Sequence, residues 1–193
     1  MHLDSRSVDL SLDVLLRIDP EQERGPWRGL LERLQTAIRD LYYLPDRGFL
    51  SDCLHATPGV GAAGAEADDC LRPNQLLAVT LGAVVDEGLC RSILNSCHEL
   101  LIPGAIRSLA DRPAHRPLPI FHDGRLLNDP LNPYQGRYAG DEDTQRKPAY
   151  HNGTAWAWLM PSFCEAWADC FGADAYETAL AWLGSSSRLI NDG

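Results

Sequence analysis

The residues best suited to chemistry lie in AYHNGTAWAWLMPSF, residues 149–163, where Tyr150, His151, Asn152, Thr154, Trp156 and Trp158 fall within nine positions. Aromatic rings stack on the apolar faces of sugar rings, while imidazole, amide and hydroxyl groups bond to hydroxyls. The set therefore points to recognition of a hydroxylated ring. Trp156 and Trp158, two apart, cannot share one face of a regular helix, so one is expected to face a pocket and the other the core. Asn152 or Thr154 is expected to cap a helix that begins here, with Gly153 turning the backbone tightly before it.

A second stretch, LRPNQLLAVTL, offers Arg72, Asn74 and Gln75. Pro73 disfavours helical geometry at Arg72, which places the guanidinium at a helix entrance. There it can hold a carboxylate or a sugar hydroxyl through a forked pair of bonds, and the two amides offer both donors and acceptors. The plainer alternative is that Arg72 pairs with an acid such as Asp69 and that Asn74 caps the helix. A third stretch, GDEDTQRKP, carries Asp141, Glu142 and Asp143. Paired carboxylates are what glycoside hydrolysis requires, although a solvated, turn-forming acidic loop is the simpler reading of these three. Nucleophile-elbow, phosphate-loop and dinucleotide-binding patterns do not occur.

The elements that must position these residues read as helices. Pro26 opens PWRGLLERLQTAIRDLYY, with an apolar stripe at Leu30, Leu31, Leu34, Ile38 and Leu41. NQLLAVTLGAVV reads as a largely buried helix. DEGLCRSILNSCHELL carries two acids in its first turn, favourable for the helix dipole. TAWAWLMPSFCEAWADCF and ADAYETALAWL form a closing pair, separated by Gly172 and ended by Gly184. Pro161 kinks the first of these or marks its first turn. ATPGVGAAGAEADDC reads as a mobile surface loop. The proline-rich span from Pro103 to Pro148 has no sustained period, and only PLPIF suggests a short strand. The fold class expected is all-α, with long irregular loops.

Composition narrows the possible partners. The chain has 193 residues, 45% hydrophobic and 23% charged, with a net charge of −10. That is enough to bury one core, and the charge excludes nucleic acid and favours a neutral substrate over a phosphorylated one. No apolar run is long enough to span a membrane, and MHLDSRSVDL does not read as a secretory leader. The six cysteines include pairs seven apart (Cys90, Cys97) and six apart (Cys164, Cys170) inside helical patterns. Zinc spacing is missing, so they read as buried thiols in a reducing cytoplasm, with no metal and no cofactor.

LRPNQLLAVTL, GAIRSL, PYQGRY and AYHNGTAWAWLMPSF, in this order, resemble the C-terminal glucosidase segment of glycogen debranching enzymes. The corresponding family phrases read approximately RPNQ-x-x-A-x-SL, GLRSL, Y-x-G-x-Y and YHxGTxWPW, and RGFLSDCLHA is similar to the strip before RPNQ. The resemblance runs from about residue 27 to the end, leaving residues 1–26 as an N-terminal extension. Ala157 stands where the family commonly has Pro, and RKPAY where many members have Arg-Asp. The resemblance implies part of an (α/α)6 toroid over residues 27–193, and amylo-α-1,6-glucosidase chemistry with inversion. On that template Arg72, His151, Asn152 and Trp156 surround a bound glucose and orient it rather than transfer protons.

The resemblance also implies two carboxyl groups, an acid in a Trp-x-Asp-Ala motif and a base in a Pro-Glu-Ile-x-Asp-Gly-Asp phrase. Neither phrase occurs in this chain, and truncation is the favoured reading over Arg188 occupying the place of the base. The expectation is a chain that supplies a glucose-binding wall without catalysing hydrolysis alone. A half toroid would expose apolar helix faces, which implies a homo-oligomer or association with the remaining toroid helices. The alternative is a non-catalytic α-glucan binding or scaffold module derived from such an enzyme.

Overall fold

The computed structural model describes residues 24–192, so most of the expected extension, residues 1–23, lies outside the described residues. Helix α1 (Arg24–Ala37) already includes residues 24–26, and it runs on as a wider π turn over Ile38–Tyr42. Its apolar stripe is only partly used. Leu30 and Leu34 are exposed, whereas Ile38 and Tyr42 pack on the core.

The core gathers around helix α3 (Glu87–His98). Asp86 caps it by accepting the Leu89 amide at 2.7 Å, which satisfies a donor that a helix start otherwise leaves unpaired. Leu89, Cys90, Ile93, Leu94 and Cys97 form its buried stripe, at the spacing that keeps apolar residues on one helical face. Against that stripe pack α5 (Met160–Phe171), through Met160, Phe163 and Cys164, and the short α2 (Leu76–Thr80), through Leu76 and Val79. Pro161 sits in the first turn of α5, and Gly172, at φ +81°, ends it. Helix α6 (Tyr176–Asp192) continues through Gly184 to Asp192. His98 on α3 lies between Trp167 and Trp182 at ring-centroid distances of 5.7 and 5.6 Å, joining α3, α5 and α6.

The all-α, (α/α)6-toroid expectation is overturned. Among the described residues six helices, of which α2 has five residues and α4 (Lys147–Tyr150) four, alternate with nine strands of two or three residues. The strands form antiparallel sheets: β1 (Tyr43–Leu44) with β2 (Phe49–Leu50), and β3 (Leu54–His55) with β4 (Glu66–Ala67). A three-stranded sheet joins β5 (Leu101–Ile102), β6 (Ala105–Arg107) and β9 (Ala155–Trp156), and a last hairpin joins β7 (Phe121–His122) to β8 (Arg125–Leu126). The architecture is mixed α and β, not a portion of a ring of paired helices. The helix in NQLLAVTLGAVV stops at Thr80, ahead of Gly82 (φ +72°), and α2 is half-buried, with Leu77 on it and Leu81 just after it exposed. Within ATPGVGAAGAEADDC, Glu66 and Ala67 pair with β3. Of PLPIF, only Phe121 enters a strand.

Candidate functional site

Three of the quoted phrases meet around β6. At its end, Ser108 donates its amide to Thr154 O at 3.0 Å, and its hydroxyl accepts the Gly153 amide at 2.9 Å. Two residues on, the Ala110 amide bonds Leu71 O at 3.0 Å. LRPNQ and HNGT are thereby fastened to either side of the AIRSLA strip. Gly153 is required at its position. Its φ is +139°, and a Cβ there would stand 2.8 Å from the Gln135 carbonyl carbon and from the Tyr134 ring.

Arg72 clamps this junction. Its backbone is extended at φ −128°, ψ 154°, the geometry that the following proline favours. Its guanidinium bonds Ser108 O at 3.3 Å, Asn152 Oδ1 at 2.9 Å and the His151 carbonyl, and pairs with Asp52 at 3.3 Å. Those contacts occupy most of its five N–H groups, so Arg72 shapes the site more than it reaches outward from it. Its acidic partner is Asp52, not Asp69. The same carboxylate accepts Asn74 Nδ2 at 3.0 Å, and Asn74 caps no helix.

The loop held by this clamp presents aromatic rings. Tyr150 lies 4.5 Å from Trp156 and 4.7 Å from His151 between ring centroids. Tyr138, from PYQGRY, closes the group at 5.8 Å from Tyr150 and 5.6 Å from Trp156. Trp156 donates its indole N–H to Tyr150 O at 2.9 Å, which fixes the ring plane. Tyr138 and Tyr150 are each 42% exposed, so the rings form a shelf open to solvent with polar backbone behind it. The loop carrying Tyr138 also lines a cleft of about 550 Å³ with Arg125, Gln135, Arg137, Thr144 and Gln145. Gln135 keeps a buried amide nitrogen without a hydrogen-bond partner.

Other sequence-predicted positions are placed differently. Gln75 is buried, its amide accepting the Leu50 N–H at 2.9 Å and donating to Arg72 O at 2.8 Å, so it joins two backbone segments. Thr154 is buried and donates to Ala149 O at 2.9 Å. Asn152 gives its Nδ2 to Pro148 O at 2.8 Å. Neither residue caps α5, which starts six or more positions later at Met160. Trp158 is 62% exposed and belongs neither to the core nor to the ring cluster. A short strand replaces the expected helix start, and the turn after it swings Trp158 outward.

The acidic loop is used locally. Asp141 accepts the Thr144 hydroxyl at 2.8 Å and the Asp143 and Thr144 amides at 3.1 and 3.0 Å. These bonds, the Thr144 hydroxyl foremost, hold its carboxyl below the ordinary range, which suits a charged turn former rather than a general acid. Glu142 pairs with Arg146, and Asp143 with Lys147. Asp52 and Tyr138 are the site residues that the sequence did not single out. Tyr138 was visible within PYQGRY and Asp52 within RGFLSDCLHA, but Asp52 lies twenty residues upstream of Arg72 and nothing in the sequence paired the two.

Outside the shelf, Cys53, His55 and Asp68 bring a thiol, an imidazole and a carboxylate to one point, all within 4.8 Å of one another. All six cysteines are free, and burial pushes the Cys70 and Cys90 thiols up to about 12 and Cys164 to about 11. No described helix is long and apolar enough to cross a membrane.

A family model described as amylo-alpha-1,6-glucosidase matches residues 11–185 of the chain. No significant match to a curated protein or to a solved structure was found.

Proposed function

We propose, because the chain belongs to the amylo-alpha-1,6-glucosidase family, that it holds the α-1,6-linked glucose of a branched α-glucan on the Tyr138–Tyr150–Trp156 shelf. The observation that carries this reading is the half-exposed ring cluster fixed in place by the Arg72 clamp. Stacked rings supply affinity for a neutral pyranose without a charged partner, in keeping with the net charge of −10. His151, exposed at the shelf edge, supplies a hydroxyl contact. The polar cleft beside Tyr138 supplies further hydrogen-bonding groups for the rest of the glucan.

Hydrolysis with inversion needs two carboxyl groups about 6.5–9.5 Å apart. Asp52 is held by Arg72 and Asn74, and Asp141, Glu142 and Asp143 are held within their own turn. With neither the Trp-x-Asp-Ala nor the Pro-Glu-Ile-x-Asp-Gly-Asp phrase in its sequence, the chain alone is a glucose-holding wall that releases no glucose by itself. Those four occupied carboxylates also favour a second reading, a non-catalytic α-glucan binding module. A cytoplasmic location belongs to the same proposal and draws support from the six free thiols.

Two assays on the purified chain test the proposal. Migration through native gels containing glycogen should be retarded in the wild type and restored in Trp156→Ala, with a β-linked glucan giving no retardation. Equal migration with and without glycogen would remove the glucan reading. Glucose release from a branched limit dextrin should stay at the blank rate, and turnover would overturn the inactivity of the chain on its own.

A further inference from the structure

We propose that the β3–β4 hairpin carries a binding site for a thiophilic divalent cation of the zinc class, with Cys53, His55 and Asp68 as ligands. Cys53 precedes β3, His55 ends it, and Asp68 follows β4, so the antiparallel register folds a Cys-x-His pair against a carboxylate thirteen residues beyond the imidazole. His55 Nε2 lies 3.6 Å from Cys53 Sγ and 3.3 Å from Asp68 Oδ2. Zinc bonds of about 2.3 Å to sulfur and about 2.0–2.1 Å to nitrogen and oxygen, opened to a tetrahedral angle, set those separations at about 3.6 and about 3.4 Å. The two observed distances match ligands placed around one ion, and Cys53 and Asp68 approach within 4.8 Å of each other.

Hydrogen bonding alone fully serves only one of the two contacts to His55 Nε2. One imidazole nitrogen carries at most one proton. If the thiol donates to it, the carboxylate contact has no hydrogen of its own; if it donates to the carboxylate, the sulfur contact has none. A cation between the three serves both contacts.

The surroundings fit this assignment. Asp68 is 4% exposed and accepts the Cys70 amide at 2.8 Å through Oδ1, which aims Oδ2 at His55. Ser51 Oγ bonds Cys53 O at 2.6 Å and pins the backbone beside the thiol. Arg116 and Arg72 are the nearby cations, and each is already paired, with Glu66 and Asp52 respectively. A divalent ion on a thiolate, a carboxylate and a neutral imidazole makes a neutral assembly. Cys53 is exposed, leaving the fourth position for water, as in open zinc sites. On binding, the Cys53 S–H bond breaks, its electron pair forms the sulfur–metal bond, and the proton passes to solvent. Because binding releases that proton, it should weaken as pH falls.

The test is cobalt titration of the full chain, stripped with a chelator and kept reduced by a phosphine. The expected result is one Co²⁺ per chain with thiolate-to-cobalt charge-transfer absorption, abolished by one equivalent of Zn²⁺. Cys53→Ser should lose the band, His55→Ala should lose the one-to-one binding, and His122→Ala should keep both. Zn²⁺ should also slow alkylation of Cys53 in the wild type, a readout independent of any variant's folding. No band in the wild type, a band surviving Cys53→Ser, or alkylation unaffected by Zn²⁺ would each overturn the site.

Discussion

Arg72 and Asp69 show how much depends on where a single charge finds its partners. Lysine at position 72 keeps the charge but cannot serve Asp52, Ser108 O, His151 O and Asn152 together. Arg72→Lys should lower unfolding stability by about 2–4 kcal/mol, because buried acceptors lose donors, and denaturant unfolding measures this. A loss below about 0.5 kcal/mol would contradict the clamp. Asp69 accepts His115 Nδ1 at 2.5 Å and the His115 amide at 3.2 Å, and pairs with Arg47 at 3.0 Å. Burial alone would raise its carboxyl, but His115 and Arg47 outweigh it and the net shift is downward. A depressed carboxylate stabilises the fold above its unfolded pKa, about 3.9, and that stability is lost as pH falls through the lower folded value. Asp69→Asn should therefore cost about 1–2 kcal/mol at neutral pH, with the difference from wild type closing below about pH 4. A pH-independent difference would contradict this assignment. At this scale the residue types of the site were legible in the sequence, but not their partners, since Asp52 and Tyr138 reach the cluster only through tertiary contacts.

Among the elements, the long helices were the most legible. Gly172 stands between α5 and α6 as expected, whereas Asp86, expected in the first turn of α3, caps that helix from outside and leaves Glu87 as the acid of the turn. Strands of two or three residues hold too little alternation to read, so β5, β6 and β9 stayed hidden although β9 carries Trp156 of the shelf. Gly184 failed as a stop signal because helix packing overrides a modest propensity cost. Two glycines give the element scale its prediction. Gly153 cannot accept a Cβ beside Gln135 and Tyr134, and Gly104, at φ +80°, would set one 3.1 Å from Ser185 O and Leu189. Ser185 and Ser186 bond the Gly104 amide and carbonyl at 3.0 Å each, docking the β5–β6 turn on α6. Gly153→Ala and Gly104→Ala should each destabilise by about 1–3 kcal/mol. Only Gly153→Ala should also abolish glucan retention, and equal effects of the two on binding would contradict the division of labour.

For the molecule as a whole, the family was legible from four short phrases while the architecture was not. Helical periodicity dominated the reading, and the proline-rich middle, which folds into hairpins and turns around β6, offered no period at all. With the toroid gone, association with missing toroid helices loses its basis. Self-association is still proposed on other grounds, since Leu180 and Ile190 on α6 are 65% and 72% exposed. Sedimentation velocity at low micromolar concentration should show a dimer or larger species, and a well-folded monomer would contradict it. Most direct is calorimetric titration of a limit dextrin ending in single α-1,6-linked glucose into wild type, Tyr150→Ala and Trp156→Ala. Saturable binding to the wild type, weakened at least about tenfold by either truncation (roughly 1.4 kcal/mol, within the range for losing a stacked aromatic ring), is the predicted result. Undiminished binding by both variants, or none by the wild type, would contradict the aromatic shelf as the place where this chain meets its sugar.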